Sequence, residues 1–117
     1  MELDVKILLL ERRTVGKIQR KENVRFTVKE YHALWDILDR EDRAHLIFIC
    51  QLPYKERKSI TLLDNGGFSA KEATRILGYN DARQFNRLRE KALNRVLKIL
   101  NSKKHNSLYS EILLNNK

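Results

Sequence analysis

The sequence predicts a mainly α-helical single domain, with residues 1–26 open to a short β-hairpin. Three observations carry that expectation. Helix breakers are scarce, with one proline and four glycines in 117 residues. Leu, Ile, Lys, Arg and Glu, which lose little on entering a helix, are spread through the whole chain. Apolar residues recur three and four apart behind two capping sequences, Thr27-Val28-Lys29-Glu30 and Ser69-Ala70-Lys71-Glu72.

Taken in order, residues 1–26 are the ambiguous part. Val5–Leu10 is apolar on every face and suits either a buried strand or a helix over about residues 3–13. Val24-Arg25-Phe26-Thr27-Val28 alternates, as a short strand does, and Gly16 between the two runs allows a hairpin. From Thr27 the signals sharpen. A first capping box precedes Tyr31, Leu34, Trp35 and Leu38 at helical spacing. Asp39-Arg40-Glu41-Asp42 opens a second helix, with acids suited to its positive end, running to about Gln51. Pro53 sits near the start of a third, where its missing N–H costs nothing, and Asp64-Asn65-Gly66-Gly67 ends it. Ser107–Leu114 suits a last amphipathic helix, either packed back on the domain or forming a dimer seam; Asn115-Asn116-Lys117 reads as a frayed end.

Charge separates the two halves. Residues 1–50 carry 10 Lys/Arg and 9 Asp/Glu, whereas residues 51–117 carry 14 and 6, so nearly all of the net +9 lies in the second half. That asymmetry points to a polyanionic partner for the second half. The apolar runs are too short to span a membrane, and the acidic start does not look like a secretory leader. A single cysteine excludes an internal disulfide, so a cytoplasmic, nucleoid-associated location is expected. Cys50 and His45 stand about 140° apart on their helix, and His32 and His105 lack partners at ligand spacing, so neither a metal nor a cofactor is expected. Tyr31, Leu34 and Trp35 read as core rather than as a stacking platform. No nucleophile–base or carboxylate pair falls on one face, so no catalytic residue is assigned.

The informative stretch is 69–100. The second capping box opens a short helix over Ala70–Leu77. Gly78-Tyr79-Asn80-Asp81 then makes a sharp turn in which Gly78 is expected at positive φ, with Asn80 or Asp81 capping a long helix to about Leu100. A short helix, a tight glycine turn and a long basic helix make a helix-turn-helix. At 100° per residue, Phe85, Leu88, Ala92, Val96 and Ile99 fall within about 40° of one line, and Arg83, Arg87, Lys91, Asn94 and Lys98 lie opposite. Such a face suits a DNA major groove, where Arg binds guanine, Asn and Gln bind adenine, and Lys meets phosphate. Arg83, Gln84, Asn86 and Arg87 are the candidate base readers, with Asn86 off the centre of the face. Lys91, Asn94 and Lys98 continue it, and Lys71 and Ser69 are candidate contacts from the preceding helix.

Leu52-Pro53-Tyr54-Lys55-Glu56-Arg57-Lys58-Ser59-Ile60, then Gly67-Phe68-Ser69, Glu72 and Ile76-Leu77-Gly78, resemble region 4 of sigma-70-type factors and the related response-regulator domains. Thr74 stands where those families usually carry Ala. Beyond Gly78, Tyr79, Asp81, Phe85 and Arg87 instead resemble the second helix-turn-helix of AraC-type regulators, because Phe85 comes seven residues after Gly78 where the sigma pattern has six. The resemblance covers residues 52–97. It implies promoter or operator double-stranded DNA as the ligand and RNA polymerase as a partner. Residues 1–50 do not resemble the polymerase-binding region 2 of a complete sigma factor, and their role is unassigned.

The expectation is therefore a sequence-specific DNA-binding transcriptional regulator or sigma-like accessory factor, acting alone or as a homodimer. Two rivals use the same parts. One is an adaptor that binds RNA polymerase or a sigma factor instead of DNA, which predicts an exposed apolar patch within residues 1–50. The other is a DNA-packaging or recombination accessory protein of a phage or mobile element.

Overall fold

The computed structural model describes residues 23–115. The hairpin or first helix proposed for residues 1–22, the Val5–Leu10 segment and Asn116-Lys117 lie outside the described residues. Six α-helices follow in order: α1 Val28–Ile37, α2 Arg40–Cys50, α3 Tyr54–Ile60, α4 Ala70–Ile76, α5 Ala82–Leu100 and α6 Asn106–Asn115. Among the described residues there is no strand. The expectation of a mainly helical fold holds.

Packing gathers the chain into two compact units. One is Arg40–Val96; the other joins Met1–Asp39 to Leu97–Lys117. In the first unit, α3 does not run regularly to its stop. Thr61–Asn65 widens into one π-helical turn, closed by the Gly66 N–H donating to the Thr61 carbonyl at 2.7 Å. The helices α2, α3 and α4 all pack on that turn. Gly67, at φ 74°, then redirects the chain. The core next to it is Leu62, Ala73 and Phe85, with Leu63, Leu77 and Tyr79 packed against them. Cys50 is buried on α2, and burial pushes its thiol up to about 12, as suits a small core residue.

In the second unit, α1 packs on α6, burying Tyr31, Leu34 and Trp35 as core. Here the structure corrects two expectations. Val24-Arg25-Phe26 is not a strand, and Val28 begins α1. The backbone groups that a neighbouring strand would satisfy are met by side chains. Val24 N–H donates to Ser110 Oγ (2.8 Å) and Phe26 N–H to Asn101 Oδ1 (2.7 Å). In return, Asn101 Nδ2 donates to the Phe26 carbonyl (2.9 Å) and Asn106 Nδ2 to the Val24 carbonyl (2.7 Å). Phe26 is thereby fixed in the core at 2% exposure. For the same reason α6 is not amphipathic. Asn106, Ser110 and Glu111 are buried beside Leu108, Tyr109, Ile112 and Leu113, and Asn106 and Ser110 hold the backbone of Val24. It packs back on α1.

Candidate nucleic-acid interface

Two capped helices and one turn build the candidate site. Ser69 is the N-cap of α4. Its Oγ accepts from Glu72 N–H at 3.1 Å, while the Glu72 carboxylate accepts from Ser69 N–H at 3.0 Å. These hydrogen bonds hold the exposed Glu72 carboxyl below its ordinary range, the Ser69 backbone bond contributing most. Thr74, the departure from the sigma-like pattern, is accommodated because its hydroxyl donates to the Ala70 carbonyl at 2.7 Å.

The end of α4 is a Schellman motif. Tyr79 N–H donates to the Thr74 carbonyl and Gly78 N–H to the Arg75 carbonyl, both at 3.0 Å, with Gly78 at φ 79° as expected. Asp81 then caps α5, its carboxylate accepting from Gln84 N–H at 3.1 Å. Tyr79 is pinned from α3 by the Lys55 ammonium, 4.8 Å from its ring centre. Beside the turn lies a shallow depression of about 360 Å³ between Lys71, Arg75, Tyr79 and Asp81.

Along α5, Phe85, Ala92, Val96 and Leu100 are buried, whereas Leu88 and Ile99 are only half-buried at the edges of that face. Arg89 also belongs to the packed side. Its guanidinium makes paired hydrogen bonds to the Asp64 carboxylate on the π turn at 2.9 and 3.0 Å, with both side chains largely buried. Arg95 pairs with the buried Glu56 of α3 at 2.8 Å. Two of the four arginines on α5 therefore hold it to the turn and to α3, and the face left for a ligand is narrower than its charge suggests.

All nine candidate contact residues are exposed. On a regular helix, Arg83, Arg87 and Asn94 fall within about 30° of one line, nearly opposite the buried side. Lys91 and Lys98 flank that line by about 50–70°, and Gln84 stands about 90° round on their side. Asn86 lies about 70° away on the other flank, apart from the rest. Lys71 is on α4 and Ser69 is its N-cap. Ser69 is engaged in the capping box, its hydroxyl accepting from Glu72 N–H and also hydrogen-bonded to the Glu72 carboxylate.

One residue that the sequence reading omits belongs on the central line. Glu90 completes the spacing of Arg83, Arg87 and Asn94, four, seven and eleven residues on from the first, and it is exposed. The same angular count that found the basic face would have found it.

No protein-family model, no curated protein and no solved structure matches the chain.

Proposed function

We propose that this protein binds double-stranded DNA by inserting the N-terminal half of α5 into the major groove, as a sequence-specific transcriptional regulator or sigma-like accessory factor. The observation that carries this reading is the Schellman turn at Gly78, which joins the capped α4 to the capped α5 and leaves the Arg83–Arg87–Asn94 line exposed. In this reading Arg83 and Arg87, in the first two turns, meet base edges. Lys91 and Lys98, further along, meet phosphates, and Lys71 and Ser69 meet the backbone from α4. Among the described residues no helix is long and apolar enough to cross a membrane.

The test is selection of bound sequences from random duplex DNA with the full chain. An enriched motif is the expected outcome, and a two-fold symmetric motif would show that a homodimer binds. Recovery of unenriched DNA, or none, would contradict the proposal.

The adaptor reading has one observation in its favour. Phe48, within residues 1–50, is 76% exposed on α2. Among the described residues of that stretch, Phe48 and Val28 (45% exposed) are the exposed large apolar side chains, far less than the roughly 800 Å² per partner that a stable protein interface buries, which favours the DNA reading. Loss of RNA polymerase binding in Phe48→Ser, with duplex binding intact, would reinstate the adaptor.

A further inference from the structure

Glu90 is an acid in the middle of a face that otherwise presents Arg83, Arg87, Lys91 and Lys98. Among the described residues no cation forms an ion pair with it. This sets it apart from Glu56 and Asp64, which are spent on Arg95 and Arg89, and from Glu72 and Asp81, which are spent on helix caps. If the whole face met phosphates, a carboxylate at its centre would oppose every contact around it. In a groove, a base edge that offers a hydrogen-bond donor would give this carboxylate a favourable partner.

In the major groove two bases offer one: cytosine through its N4 amino group and adenine through N6. Adenine places its N7 acceptor beside that donor, where it repels a carboxylate. Guanine and thymine present acceptors alone. Cytosine carries a donor with no acceptor next to it on the same base. Along the helix axis Glu90 lies about 4.5 Å beyond Arg87, little more than one base-pair rise of about 3.4 Å. A guanine read by Arg87 and a cytosine read by Glu90 are therefore one or two base pairs apart.

We propose that Glu90 is a specificity-determining residue that accepts a hydrogen bond from cytosine N4 next to the base pair read by Arg87. The inference rests on the DNA-binding reading above. Its test repeats the duplex selection with the full chain and with Glu90→Gln and Glu90→Ala. The wild-type motif should carry a fixed cytosine. Glu90→Ala should reduce the preference for cytosine at that position by about fivefold or more, leaving the rest of the motif intact. Glu90→Gln, which can bind adenine through paired hydrogen bonds, should move the preference at that same position towards adenine. An unchanged motif, with every duplex bound more tightly by the same factor, would overturn the role of Glu90 while leaving DNA binding in place. Absence of any wild-type motif would overturn both.

Discussion

Arg89 stands on the apolar line of α5, four residues after Phe85 and three before Ala92. A guanidinium placed there needs a partner, and Asp64 provides two oxygens, 25 residues earlier in the chain. Arg89→Met should cost about 3 kcal/mol in urea unfolding, because it strands a largely buried carboxylate. The double variant Arg89→Met with Asp64→Leu should recover much of that loss, since the isolated carboxylate and not the missing attraction carries the cost. Equal losses in single and double variants would contradict this. Phe85, fully buried between Leu62 and Ala73, should cost about 3–5 kcal/mol on truncation to Ala, and a loss below about 1 kcal/mol would place its ring outside the core. The position of Phe85 was legible because an apolar period of 3.6 declares its own buried side. The role of Arg89 was half legible. A charge on that line announces a partner, but the π turn that brings Asp64 to it has no signature in the sequence.

Helix boundaries were legible wherever a side chain caps the backbone, because capping is local chemistry. Thr27 and Glu30, Ser69 and Glu72, Asp81 and Gly78 each act within four residues of themselves. Val24–Val28 misled for the opposite reason. Its alternation is that of a strand, yet its partners are Asn101, Asn106 and Ser110, more than 70 residues away, and nothing local distinguishes them from another strand. The caps also predict a pH response. Thr27, chiefly through its hydroxyl, holds the Glu30 carboxyl below its ordinary value of 4.5, and Ser69, chiefly through its backbone N–H, does the same for Glu72. A carboxyl lowered on folding adds stability that is fully present above its unfolded value and is lost as pH falls through its folded one. Urea midpoints measured from about pH 6 down to about pH 3 should therefore fall on the acid side. Glu72→Gln keeps the capping geometry without the titration, so it should change little at neutral pH and make the acid-side fall shallower. An unchanged acid-side slope in Glu72→Gln would show that the cap is not coupled to folding.

For the whole molecule, the charge asymmetry between the two halves survives the removal of the cations that serve the fold. Arg89 and Arg95 are spent on internal carboxylates, but Arg83, Arg87, Lys91 and Lys98 remain exposed on one helix, with Lys71 and Arg75 exposed on α4. Base readers and phosphate clamps leave different signatures. Loss of a base contact costs about 1–3 kcal/mol on the preferred site and little on other DNA, whereas loss of a phosphate contact weakens all duplexes alike and lowers the salt slope by roughly one. The most direct measurement is affinity for the selected duplex and for a scrambled one, at several salt concentrations, with wild type, Arg87→Ala and Lys98→Ala. The account predicts that Arg87→Ala flattens the preference between the duplexes, while Lys98→Ala keeps the preference and lowers the salt dependence. If all three proteins bind both duplexes equally, or bind neither, the exposed face of α5 is a solvated surface and the protein does not read DNA with it.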